Sequence, residues 1–291
     1  MTTDPLVTVV IPTFNNRLLI ELCLRSMRCC TDRPFRVIIR DNGSTDGTVE
    51  FLESSGLVHL VLKSAANDFD NVEQATYDEA IRNHVRTPYF LVCHSDMIFI
   101  QPDWIEDIQT SLGDDDANIL GGRIIPSSFS GGWIFGRWLS PWYAWGRTEA
   151  FKELNLSWRR QRSEWCVRYS SAVRAYFDEE LIAGNQSVSL FWEHGGYLLA
   201  LVDHHRRRIV DRQFPGVFHI GDMTGSFIKG THFPDAPDVG RRVGRAAAIE
   251  QLIQRILATQ YESNQDFLLA CRTVAAFALK NDLAILKQFR A

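Results

Sequence analysis

The octapeptide Asp41-Asn42-Gly43-Ser44-Thr45-Asp46-Gly47-Thr48 narrows the fold more than any other part of the chain. It follows an apolar, β-branched run, Phe35 to Arg40, and precedes a helical pattern, Val49 to Glu53. An acidic residue therefore ends a buried strand and opens a Gly/Ser/Thr turn into a helix. In open α/β sheets, ligands bind in the crevice outside the carboxyl ends of the strands. A carboxylate in that place accepts hydrogen bonds from a base or ribose, while the turn offers free backbone N–H groups and a Ser or Thr cap. Taken alone, the octapeptide fits equally well as a plain βα loop with a capping Asp.

The flanking segments extend the pattern. Val7 to Ile11 reads as a strand, Pro12 to Asn16 as its turn, and Arg17 to Cys30 as a helix. A third strand, Leu57 to Lys63, leads to a helix ending near Val85, and a fourth, Tyr89 to Cys93, runs into His94-Ser95-Asp96. This alternation predicts a parallel sheet with helices on both faces. Asp41 and Asp96 then end different strands and converge on one sheet edge.

The string VTVVIPTFNN, then DNGSTDGT, then an apolar strand ending in an Asp, resembles glycosyltransferase family 2. The resemblance is strong over roughly residues 6 to 105 and patchy beyond. It implies an α/β fold of the GT-A type, a Rossmann-like mixed sheet flanked by helices. It also implies an inverting transfer of a sugar from a nucleoside diphosphate sugar, UDP-sugar favoured, to an acceptor hydroxyl. The acceptor would be a carbohydrate, a glycolipid or a small molecule.

Composition sets outer bounds. A chain of 291 residues buries a full core as one large domain or two small ones. The net charge of −4 argues against a general nucleic-acid binder. Six Cys without metal spacing read as reduced, mostly buried thiols of a cytoplasmic protein. MTTDP leads directly into the first strand, so no signal peptide is expected, and no apolar run is long enough for a transmembrane helix.

Along the chain, residues 1–112 form the nucleotide-sugar-binding half, 113–239 the acceptor half of the same domain, and 240–291 a helical appendage. The appendage either packs on the core or forms a homodimer interface. Asp114-Asp115-Asp116 reads as a solvated turn, with a metal site as the alternative. Ile119 to Ile125 is a fifth strand, residues 193 to 202 a helix, and Arg208 to Val210 and Val217 to Ile220 short strands. Trp133, Trp138, Trp142, Trp145, Trp158 and Trp165 crowd one stretch, as a carbohydrate platform or as core and lid. The run His204 to Arg208 fits a helix end, with peripheral contact to a membrane surface or a phosphorylated acceptor as the lesser alternative.

The resemblance assigns roles to single residues. Pro12, Thr13, Phe14 and Asn15 lie along the uridine and ribose, and Asp41 accepts from the base N–H. Asp96, last residue of a DxD-like triplet, and His219 hold Mn2+ or Mg2+. The triplet here is His94-Ser95-Asp96, so His replaces the first Asp; Ser95 joins the nucleotide contacts. Arg123, near the end of strand five, touches phosphate or sugar. The general base is Glu193 or His194, with Asp178 and Asp222 next in line; Glu193 is also explained as a first-turn helix acid. Asp178, Glu179 and Glu180 fit a solvated helix end. A dinucleotide oxidoreductase fails on the first turn, which has no glycines for a pyrophosphate. A catalytically degenerate, sugar- or nucleotide-binding scaffold of the same fold is the remaining alternative.

Overall fold

The computed structural model describes residues 4–64, 72–130, 133–158, 176, 179–184, 189–191, 195–212, 216–220 and 239–288. The first half runs β1 (Val7–Thr13), α1 (Arg17–Cys29), β2 (Arg36–Asp41), α2 (Thr48–Ser54), β3 (Leu60–Lys63), α3 (Val72–Asn83), β4 (Tyr89–Cys93), β5 (Met97–Phe99) and α4 (Trp104–Leu112). Then come β6 (Asn118–Ile125), β7 (Ser128–Ser130), β8 (Trp133–Phe135), β9 (Trp138–Arg147), α5 (Thr148–Glu153), α6 (Glu179–Gly184) and β10 (Ser189–Phe191). The chain continues through α7 (Gly196–His204), β11 (Arg208–Asp211), β12 (Val217–His219), α8 (Val239–Ala258) and α9 (Asn264–Gln288).

Seven strands make one mixed sheet in the order β11-β6-β9-β4-β1-β2-β3. β1 pairs in parallel with both β2 and β4, as their unbroken apolar runs predict for strands covered on both faces. Side chains alternate between two cores. Val7, Val9 and Ile11 pack with Ile20, Cys23, Leu24 and Met27 of α1, while Val10 packs with Tyr77 and Ile81 of α3.

The sheet is mixed, as the family resemblance implies and the alternation of strands and helices alone does not. β9 runs antiparallel between β4 and β6. The chain leaves β6, makes the β7–β8 hairpin and re-enters without a crossover helix, a connection that suits an antiparallel strand. Its Trp145 indole lies flat against Gly121 of β6, where a Cβ would come within 2.3 Å of the ring. The other strands of this sheet therefore end on one edge, and β9 begins there.

Smaller boundaries also move. Pro12 and Thr13 belong to β1 rather than to the turn after it, β3 starts at Leu60, and the helix expected from residue 193 starts at Gly196. The cap of α2 is not a Ser or Thr: Gly47 takes that place with φ +84°, and Asp46 accepts from the Thr48 N–H and hydroxyl.

α8 and α9 pack on the core. Ile249, Ile253, Ile256, Phe267, Cys271 and Val274 close over Leu19 and Leu22 of α1 and Ile98 of β5. The fully buried Ile249 and Ile253 each contribute roughly 1.5–3 kcal/mol of apolar burial. Leu269 and Phe277 stay exposed on α9. Among the described residues, no helix is long and apolar enough to cross a membrane.

The two charge runs answer each other. Arg208 pairs with Asp115 and bonds the Asn118 side chain, and Arg207 donates to the Asp116 carbonyl at 3.3 Å. The Asp115 carboxylate also accepts from the Ala117 N–H at 2.9 Å. The acidic run is thus a turn tied to β11, and its partner is the basic run.

Candidate active site

The carboxyl edge carries two loops bonded into one platform. The Asn42 N–H donates to the Thr13 carbonyl at 3.0 Å, and the Asn15 N–H to the Ser44 hydroxyl at 2.8 Å. The Thr45 N–H donates to Asn15 Oδ1 at 2.7 Å, and the Arg17 N–H to Asp46 at 3.1 Å. Asn15 sits at φ +45°, a conformation Asn tolerates better than most residues. The N–H groups of Asn42 to Thr45 are therefore not free, contrary to expectation. Asp41 Oδ2 takes those of Gly43 and Ser44, at 3.0 and 2.9 Å, because a buried carboxylate must be hydrogen-bonded.

Asp41 itself is 2% exposed, and its second oxygen, Oδ1, is buried without a hydrogen-bond partner. An unsatisfied buried acceptor of this kind costs free energy that a bound donor recovers. Asn42 Oδ1 is in the same state. Thr13 donates to Asn16, and Asn16 donates to Ser95, so β1 is latched to the end of β4. Ser95, expected among nucleotide contacts, is buried in that latch. Phe14 is half-buried beside it.

A second corner forms where β4 gives way to β5. β12 pairs antiparallel with β5 and sets His219 opposite Met97, and the Ile220 N–H bonds the Asp96 carbonyl at 3.1 Å. This ladder delivers His219 to Asp96 from far along the chain. His219 Nε2 lies 3.0 Å from Asp96 Oδ1, and His94 Nδ1 lies 4.0 Å from the same oxygen. One possible ligand atom from each of the three residues lies within 4.8 Å of the other two.

The short His219–Asp96 contact is out of hydrogen-bond alignment, and Nε2 is buried without a hydrogen-bond partner. Burial alone would raise the Asp96 pKa; the charges of His219 and His94 outweigh it, and the carboxyl sits below its usual range. An ionised carboxylate and two imidazoles converging on one point, with a buried nitrogen left unsatisfied, fit a divalent cation.

Trp142 frames this corner. Its indole stacks on the His219 imidazole, with centroids 4.8 Å apart at 21°, and its carbonyl accepts from the His94 N–H at 3.1 Å. It is 36% exposed, and Trp138 meets it edge-on. Trp145 and Trp158, by contrast, are core. The platform and core readings of the Trp-rich stretch each hold for different residues.

Other expectations fall elsewhere. Arg123 is exposed on β6. Glu179 and Glu180 are exposed on α6. Glu193, His194, Asp178 and Asp222 lie outside the described residues, as does Trp165. Just after His194, Gly195 is pressed against β9. At φ +79°, a Cβ there would meet the Leu139 carbonyl oxygen at 2.2 Å. Sequence reasoning missed Asn16 as the latch, Trp142 as the neighbour of His219, and His94 as a member of the trio. For His94 the signal was present, in its place within the triplet.

A family profile described as glycosyl transferase family 2 matches residues 8–177, more than half of the chain. The chain belongs to glycosyl transferase family 2. The matched region contains β1, β2, β4 and the His94-Ser95-Asp96 turn, and stops short of His219. Glycosyltransferase AglJ of Haloferax volcanii is 33% identical over 97 residues, covering 33% of this chain and 29% of that protein. Among solved structures, a mannosyltransferase of Pyrobaculum calidifontis, in complex with GDP-Man and Mn2+, superposes with a TM-score of 0.50 at 14% identity. That match covers 98% of this chain and 74% of the other, and it shows the shared GT-A fold of a family 2 chain.

Proposed function

We propose that this chain is an inverting, metal-dependent glycosyltransferase. It would move a sugar from a nucleoside diphosphate sugar, UDP-sugar favoured, to a hydroxyl of a carbohydrate, glycolipid or small-molecule acceptor. The observation that carries the reading is the His219–Asp96 corner, placed on the same sheet edge as the unsatisfied Asp41 oxygen. The GDP-Man and Mn2+ of the Pyrobaculum enzyme are consistent with both parts.

Asp96 and His219 would hold Mn2+ or Mg2+, which acts as a Lewis acid on the leaving diphosphate. Asp41 Oδ1 accepts the base N–H. Pro12, Thr13, Phe14 and Asn15 border the nucleoside, with the Thr13–Asn16–Ser95 latch fixing their position. Arg123, exposed near the carboxyl end of β6, is available to the phosphate or sugar. Glu193 takes the proton from the acceptor hydroxyl, with His194 as its rival. Support for this placement comes from Gly195, whose carbonyl accepts from the Leu139 N–H at 3.4 Å, at the end of β9 that meets the site. Trp142 offers its exposed indole to the C–H face of a sugar.

The test is donor turnover across UDP-, GDP- and dTDP-sugars with Mn2+, followed by NMR of the product anomer. Turnover of one donor class, lost in EDTA and giving inverted product, is expected. Turnover untouched by EDTA removes the metal. Nucleotide binding without turnover of any donor favours the scaffold reading.

A further inference from the structure

We propose that His94 is a third protein ligand, completing a two-histidine, one-carboxylate site that selects Mn2+ and later first-row divalent ions over Mg2+. The inference rests on the metal-dependent reading above and concerns a residue which that reading leaves without a role.

The geometry points to His94 in three ways. First, His94 Nδ1 lies 4.0 Å from Asp96 Oδ1, and one ligand atom from each residue of the trio lies within 4.8 Å of the other two. Two donors each about 2.1 Å from one ion lie at most about 4.2 Å apart, so a small turn of the His94 ring closes the set. Second, the other two members are held still. Asp96 is 5% exposed, and His219 is fixed by the β5–β12 ladder and by stacking on Trp142. Third, the His94 backbone is anchored, its N–H bonded to the Trp142 carbonyl at 3.1 Å. The imidazole stands beside the ion's place, 24% exposed, with its ring edge-to-face against His219 at 5.5 Å between centroids.

Chemistry then sets the preference. A carboxylate at residue 94 would give the site two negative charges and a hard oxygen ligand. An imidazole gives one negative charge and a second nitrogen. Mg2+ favours oxygen ligands and holds its waters tightly, whereas imidazole suits later first-row ions and is accepted by Mn2+. His94 therefore lowers Mg2+ affinity more than Mn2+ affinity.

The experiment uses the full chain with Mn2+, with and without UDP or GDP. Pulsed EPR reads 14N couplings from bound imidazole, and Mg2+ is titrated in as competitor. Two coordinated nitrogens are expected in the native protein, with Mg2+ displacing Mn2+ only at about a hundredfold excess or more. His94→Asp should leave one nitrogen and let Mg2+ compete about tenfold better; His94→Gln should also leave one nitrogen. One nitrogen in the native protein, or an unchanged Mg2+ competition curve in His94→Asp, overturns the proposal while leaving Asp96 and His219 as ligands. No Mn2+ binding under any condition overturns both the proposal and the metal-dependent reading. Two nitrogens in a protein that turns over no sugar donor leave the site standing and remove the transferase.

Discussion

The Asp41 platform and the Asp96–His219 corner share one sheet edge but are built by different means. The platform comes from the loops after β1 and β2, close in sequence, cross-bonded by short polar side chains. The corner needs a strand from late in the chain, since His219 reaches Asp96 only through the β5–β12 ladder. Local construction makes the first recognisable from a motif. Long-range construction makes the second dependent on everything packed behind β5, including α8 and α9. Damage to the platform should therefore weaken donor binding, and damage to the corner should stop the chemistry.

The largest expected effect is at the corner. Asp96→Asn should fold normally and lose about a thousandfold or more of transfer, because in the proposed reading the cation contact to the diphosphate would supply several kcal/mol in the transition state. Wild-type rates in this variant, or full native activity in excess EDTA, would dissolve the distinction between the two regions. Next comes the acceptor side. Glu193→Gln should keep donor binding and lower transfer by about a hundredfold. If His194→Ala abolishes transfer and Glu193→Gln does not, the imidazole is the base.

On the platform, Asp41→Ala should raise the donor KM by about tenfold with a smaller change in kcat. In the proposed reading its contact would be remote from the reacting carbon and nearly equal in ground and transition states. A kcat loss at constant KM would move Asp41 into the corner's class. Gly195→Ala tests the anchor of Gly195 on β9. The left-handed backbone alone costs about 1 kcal/mol, and the clash with the Leu139 carbonyl adds to it. Thermal unfolding should shift down by several degrees; no shift would mean the anchor is slack.

The smallest effect concerns the packing that supports both regions. Burial, ahead of neighbouring charges, pushes the Cys30 and Cys271 thiols up to about 12. In the folded protein both should resist alkylation at pH 8 and react only as pH approaches that value or on unfolding. Rapid labelling of native protein, read by mass spectrometry, would show that α9 does not stay closed over α1.

How much of this was legible differs residue by residue. Asp41 and Asp96 were readable because each follows an apolar strand, and a strand buried on both faces fixes where its carboxyl end must lie. The first four strands followed from short apolar runs bounded by turn residues. The antiparallel entry of β9 was not readable, because it depends on the return of the chain through the β7–β8 hairpin rather than on any pattern within β9. The roles of the tryptophans were not separable either. Trp142 and Trp145 lie three residues apart in one strand, yet one is exposed beside His219 and the other is buried against Gly121.

The sequence by itself determined the alternation of strands and helices, the family, and the two acidic strand ends, because periodicity and turn chemistry act over a few residues. Only the tertiary structure decided that His94, Asp96 and His219 meet, that the acidic and basic runs pair, and that the C-terminal helices close on α1. Each of these is a contact between distant segments, set by strand register and by the packing of whole helices, and no local pattern encodes it.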